Sequence, residues 1–281
     1  MLTIDNHLCE NSFQYHTTDK DKYLGAREEE LLDLQEICDY CRINEESLLC
    51  DLDKFYNMEV EPGISLCDWV FSDMGSGSHD TRSMLLYMLD SIKELEADGD
   101  KEILISLGEY ENCINTADGY REKRREFLAE LTDVEEFATF MRSCFQNTVF
   151  SDDIVAAMKK IPKFRNCTKP IVSNLSLLND YAIEIYERHN FNAAEAMKEL
   201  SARALECTGD PAHKAYLKFP FSYYEEGSDC GAEWQIKEIE CSPHMKLIRR
   251  DSNLRIYFYW FDETIGDGKK VLVGHIGSHP Y

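Results

Sequence analysis

The hydrophobic pattern changes period once along this chain. From Leu31 to Ala204 apolar residues recur at helical spacing, and from Ala215 onward they alternate in short runs. A 3.6-residue period buries one stripe of a helix, whereas a period of two buries one face of a strand. The change therefore predicts a helical region followed by a sheet. Leu31, Leu34, Cys38 and Cys41 share one helical face, as do Leu85, Met88, Leu89, Ile92 and Leu95. Residues 1–25 read as an irregular lead-in, 44–56 as a short acidic segment, and 102–116 as ambiguous with helix favoured. Asp80 reads as a helix cap. So do Thr132 and Asn192, each three residues before a Glu, the capping-box spacing.

The runs Ala215–Phe221, Trp234–Cys241, Met245–Ile248, Leu254–Phe261 and Val271–Ile276 are rich in aromatic and β-branched residues. Asp251-Ser-Asn253 and Gly266-Asp-Gly268 supply turn chemistry between the later ones. Two helices, about 175–189 and 192–204, precede them. The fold class expected is α+β. An N-terminal all-α domain, 1–165, would precede a C-terminal domain, 166–281, of two helices and an antiparallel sheet. The Pro- and Lys-rich stretch 162–173 reads as the connector.

Charge narrows the function. Across 281 residues, 30 Lys+Arg face 53 Asp+Glu, a formal net charge of −23. Such a chain repels bulk nucleic acid and anionic membranes unless a local basic site intervenes. The charge asymmetry points to the C-terminal end: residues 236–281 hold seven Lys/Arg against six Asp/Glu, plus His244, His275 and His279. No apolar run is long enough for a membrane helix and no signal peptide is read at the start, so a cytoplasmic protein is expected. The eleven cysteines read as reduced thiols. Cys38-x-x-Cys41 lies on an apolar helical face with no second ligand pair, so it reads as core. Gly75-Ser-Gly-Ser-His79 lacks the Lys-Ser/Thr of a phosphate loop and reads as a flexible loop.

In a strand over 254–261, Arg255, Tyr257 and Tyr259 share one face and Ile256, Phe258 and Trp260 the core face. The face that His275 takes depends on register. Neighbouring strands would add His244, Lys246, Arg249, Arg250, His275, His279 and Tyr281. Arginine grips phosphate bidentately, aromatics stack on bases, and His or Tyr can move protons without metal. No metal or cofactor is expected; three histidines as a zinc site form a weaker alternative that lacks completing carboxylates.

The stretches His244-Met-Lys246-Leu, Leu254-Arg255-Ile-Tyr257, Val271-Leu-Val-Gly-His275 and the ending His279-Pro-Tyr281 resemble the RelE/YoeB-type superfamily of ribosome-dependent mRNA endonucleases, toxins of bacterial toxin–antitoxin pairs. The resemblance covers roughly 175–281. It implies a RelE-like domain in which Arg255 grips phosphate, Lys246 stabilises the transition state, and His279, Tyr281 or His244 handles protons. Arg249, Arg250, Tyr257 and His275 would bind substrate. It also implies RNA or a ribosome as target and a protein antitoxin as partner. The family's general-base Glu has no match; Glu238 and Glu240 are merely nearby. The competing expectation is a non-catalytic bacterial interaction protein built on the same scaffold.

Overall fold

The computed structural model describes residues 2–17, 19–96, 98–209, 214–225, 233–248 and 253–280. It divides into two compact units, residues 2–124 and 125–281. Along the chain the first unit contains β1 (Ile4–Leu8), α1 (Glu28–Ile43), β2 (Leu48–Cys50), α2 (Leu52–Asn57), β3 (Glu59–Glu61), β4 (Ile64–Ser65), α3 (Leu66–Phe71), α4 (His79–Leu89), β5 (Ile92–Glu94) and β6 (Lys101–Ile105). The division then falls inside α5 (Ala117–Glu130).

This first unit corrects the expected N-terminal all-α domain. It is mixed α/β and built on a four-stranded sheet of order β5-β2-β1-β6, parallel throughout. The lead-in contains a central strand, β1, and the supposed helix at 102–116 begins as β6. The strands escaped the period-two test for physical reasons. β2 and β5 are three residues long, too short to show alternation, and the middle of β1 is Asp5-Asn6-His7. Asn6 is wholly buried because hydrogen bonds satisfy it. Its Nδ2 donates to Glu46 Oε2 (3.2 Å), and its Oδ1 accepts from Tyr120 OH (2.9 Å).

The face read on α1 forms core, but the one read over Leu85–Leu95 holds only in part: α4 ends at Leu89, Ile92 belongs to β5 and Leu95 is 46% exposed. Leu31, Leu34, Cys38, Cys41, Leu85 and Met88 are all fully buried. Burial raises the Cys38 thiol and pushes Cys41 up to about 12, so both behave as apolar filler. The glycine-serine loop is tied down at one end. Ser76 N donates to Glu61 Oε1 (2.7 Å), and its carbonyl accepts from Trp69 Nε1 (2.6 Å). Ser78, not Asp80, caps α4 by accepting from Thr81 N.

The second unit continues with α6 (Val134–Cys144), β7 (Thr148–Phe150), α7 (Ile154–Met158), α8 (Thr168–Arg188), α9 (Ala193–Arg203), β8 (Cys207–Gly209), β9 (Lys218–Glu225), β10 (Glu233–Glu240), β11 (Pro243–Lys246), β12 (Arg255–Tyr259) and β13 (Val271–Gly277). Asp133 caps α6 in place of Thr132, and Asn192 caps α9 as expected, accepting from Ala194 N and Glu195 N. The stretch 162–173 lies inside this unit. Ile161, Phe164, Cys167 and Thr168 are buried, and Thr168 Oγ1 donates to Ala129 O on α5 (2.7 Å). Arg125 on α5 grips Asp180 on α8 through both oxygens (2.6 and 2.7 Å).

The main sheet has the order β7-β13-β12-β11-β8. Its last four strands are antiparallel, but β7 joins β13 in parallel, so the sheet is mixed rather than a pure meander. β9 and β10 form a separate antiparallel pair. One face of the main sheet carries Met245, Ile256, Phe258, Val271, Val273 and Ile276, all buried. On the other, Tyr257 and Leu272 cluster with Leu217, Phe219 and Cys241 from β9 and its surroundings. Gly274 permits that approach. A Cβ there would lie 2.8 Å from Cys241 Sγ and nearer still to the Phe219 ring. Gly274→Ala is therefore expected to cost ~1–3 kcal/mol by overpacking. A urea midpoint unchanged by the substitution would disprove this account of the contact.

Among the described residues no helix is long and apolar enough to cross a membrane.

Candidate functional site

Register assembles the site. β12 pairs Tyr257 with His244 on β11 and with His275 on β13, so these three form one cross-strand row on one face. Arg255 pairs with Lys246 and Gly277, forming the next row on that face. A register shift between Tyr257 and Phe258 leaves Gly274 as an extra residue and turns His275 toward Tyr257. His279 follows the end of β13, and its Nδ1 lies 2.5 Å from Tyr257 OH. Ring centroids are 4.9 Å apart for His244–Tyr257, 6.0 Å for Tyr257–His275 and 6.3 Å for His244–His279.

Arg255, Lys246, His244, Tyr257, His275 and His279 are thus brought together. Arg249, Arg250 and Tyr281 lie outside the described residues. The shared face is less open than strand alternation suggests. Tyr257 is fully buried and Arg255 and His244 are each 8% exposed, because the β9 cluster covers part of it. Lys246, His275 and His279 are half-buried at the open side.

Hydrogen bonds assign the imidazole tautomers. A carbonyl can only accept, so His275 Nε2, 2.7 Å from Ser278 O, carries the proton and Nδ1 keeps its lone pair. His244 Nδ1 faces Ser242 O at 3.4 Å, so its Nε2 accepts from Thr208 Oγ1 at 3.1 Å. Burial pulls the His275 pKa below the ordinary histidine value, and the Lys160 and His279 charges add to this against the Ser278 bond. His275 is therefore neutral at neutral pH.

Three members of the cluster were not singled out in the sequence. Glu206, just before β8, forms an ion pair with Lys246, and that bond holds its carboxyl below the usual range, helped by Arg255 and His244. Thr208 on β8 orients His244, and Lys160 follows α7. β8 is three residues long and Lys160 is distant in sequence, so only pairing could reveal them. Glu238 and Glu240 lie on β10, not in this row.

Among the described residues no group of three or more His, Cys, Asp or Glu is arranged to hold a metal ion. The three histidines instead bond to Thr208, Tyr257 and backbone carbonyls. Comparison with protein-family profiles, curated proteins and solved structures finds no significant match.

Proposed function

We propose that the C-terminal unit is an endoribonuclease site that works through side chains alone. The observation that carries this reading is the single face holding His244, Tyr257 and His275 in one row beside Arg255 and Lys246. His275 Nδ1 takes the 2′-OH proton as that oxygen attacks its own phosphate. Arg255 and Lys246 offset the charge gathering on the phosphate oxygens. His279, hydrogen-bonded to Tyr257, returns a proton to the leaving 5′-oxygen. The products are a 2′,3′-cyclic phosphate and a 5′-hydroxyl end.

The resemblance of 175–281 to RelE/YoeB-type endonucleases supports messenger RNA, free or on ribosomes, as the substrate. It also supports a cytoplasmic setting with an antitoxin-like protein as partner. The strongly acidic remainder of the chain keeps other RNA at a distance, so a short single strand reaching the basic face fits better than a duplex.

The test is cleavage of a defined single-stranded RNA and of ribosome-bound message in EDTA. Arg255→Ala should lose about a hundredfold in rate, since removing one oxyanion donor costs ~3 kcal/mol. Glu238→Gln on the exposed face of β10 should change nothing. Cleavage that needs added metal, or that survives Arg255→Ala intact, would refute the mechanism.

A second reading, a non-catalytic interaction protein, is favoured by one feature. The outer face of the β9–β10 pair exposes Tyr224, Trp234 and Ile236 at 56%, 72% and 70%. A folded protein that cleaves no RNA under any condition would shift the weight there.

A further inference from the structure

Most cysteines described in this chain are apolar filler. Cys38, Cys41, Cys50, Cys207 and Cys241 are buried, and burial raises each thiol. Cys9 and Cys113 differ. Both are half-buried, and their thiols are hydrogen-bonded to one another. The sheet of the first unit brings them together. Cys9 directly follows β1, and its N–H donates to Ile105 O (2.7 Å) at the end of β6. On the opposite edge of β6, Ile114 N donates to Leu104 O (2.8 Å) and Ser106 N donates to Ile114 O (2.9 Å). Cys9 and Cys113 thus approach the carboxyl end of β6 from its two edges, and their side chains meet there.

The pair is asymmetric. Burial, then the Cys9 charge and the hydrogen bond to Cys9, push the Cys113 thiol up to about 11, against a smaller pull downward from the Ser106 hydroxyl. A bond that favours the protonated form of Cys113 is one in which Cys113 Sγ–H donates and Cys9 Sγ accepts. Cys113 therefore keeps its proton, and Cys9 is the sulfur available to attack. Solvent reaches this end of the sheet, since residues 109–112, immediately before Cys113, are all exposed. An accessible thiol in contact with a second one that can close on it is the arrangement that responds to oxidants. Cys38 and Cys41, wholly buried, lack that access.

We propose that Cys9 and Cys113 form a modification site at which hydrogen peroxide makes a reversible disulfide, a role independent of the C-terminal site. Cys9 Sγ, giving up its proton, attacks one peroxide oxygen. An S–O bond forms, the O–O bond breaks, and the second oxygen leaves with that proton as water. Cys113 Sγ then attacks Cys9 Sγ. The S–S bond forms, the S–O bond breaks, and the departing hydroxide takes the Cys113 proton to leave as water. The two sulfurs lose two electrons and the peroxide gains them. The product ties the end of β1 to the segment beyond β6 and closes a loop of about a hundred residues. A dithiol reductant reopens it by exchange.

Treating the reduced full chain with hydrogen peroxide, then alkylating with N-ethylmaleimide and mapping peptides without reduction, tests this. The expected result is the loss of two alkylatable thiols per chain and one linked peptide pair containing Cys9 and Cys113, both reversed by dithiothreitol. Cys113→Ser should trap Cys9 as a sulfenic acid, which dimedone labels well above the wild-type level. Cys9→Ser should leave Cys113 a thiol at the same dose, and Cys67→Ser should leave the linkage unchanged. Melting curves check that the variants fold, and the wild-type peptide map decides the linkage without them. A link from either residue to another cysteine or another chain would overturn the proposal. So would dimedone labelling of Cys113 in Cys9→Ser equal to that of Cys9 in Cys113→Ser, or oxidation of Cys67 while the pair stays as thiols.

Discussion

His275→Ala is expected to lower RNA cleavage by about 10²–10⁴-fold, the usual contribution of a positioned general base. The reasoning starts from Ser278, whose carbonyl fixes the proton on Nε2 and leaves the Nδ1 lone pair for chemistry. The loss should fall on kcat, with KM nearly unchanged, because the proposed mechanism gives phosphate binding to Arg255 and Lys246. The pH profile separates a base from a merely structural histidine. Burial, then the Lys160 and His279 charges, depress the His275 pKa. Its active neutral form therefore persists below ~6.5, the ordinary histidine value, and the acid limb should begin below that pH. Stability follows the same sign. A depressed histidine pKa contributes stability that is fully present above ~6.5 and is lost as pH falls through the folded-state value. His275→Ala should remove both the acid limb assigned to this base and that part of the acid sensitivity. An unchanged pH–rate profile in the variant would remove His275 from the proton path.

The strand face that carries the candidate site was more legible in the sequence than the fold around it. Leu254–Phe261 alternates cleanly, so Arg255, Tyr257 and Tyr259 could be assigned one face before any coordinates. The register that puts His244 and His275 beside Tyr257 could not be assigned, because Gly274 is an extra residue at a bulge and a one-residue slip reverses a strand's faces. The covering of that face by β9 was equally hidden. It depends on the missing Cβ of Gly274 meeting Phe219, residues far apart in the chain.

The parallel sheet of the first unit was illegible for a different reason. A strand buried on a sheet's inside normally advertises itself by apolar residues, and β1 carries Asn6 at its centre. What makes Asn6 acceptable there is Glu46, 40 residues later, and Tyr120, 114 residues later. Local pattern cannot register a partner at that separation. The C-terminal helices show the converse. Asn192 bonds backbone amides two and three residues on, so its cap was readable from four letters.

The same Asn6 network carries the largest stability effect expected in the molecule. Arg124 has a fully buried side chain, and its Nη1 donates to both Glu46 oxygens at 2.8 and 2.6 Å. The rings of Tyr40 and Tyr120 flank its guanidinium, 5.5 and 5.7 Å from it. Arg124→Ala would take that countercharge from the Glu46 carboxylate and leave it the neutral donor Asn6 Nδ2 at 3.2 Å. Breaking a buried pair costs ~3–5 kcal/mol, and because the Glu46 side chain is 22% exposed the lower end, ~3 kcal/mol, is expected here, still a large share of the ~5–15 kcal/mol that stabilises a typical protein. Removing both charges should cost less than the two single changes together, because neither charge is then stranded. Arg124→Met/Glu46→Leu should therefore recover part of the loss in a double-mutant cycle. Cys41 provides a local reporter, since its buried thiol donates to Tyr120 OH at 3.3 Å. In Arg124→Ala a maleimide should reach Cys41 well before it does in the wild type, under conditions where the C-terminal unit stays folded. A loss below ~1 kcal/mol, with Cys41 still protected, would mean that the apolar core of this unit holds β1, α1 and α5 together without the ion pair.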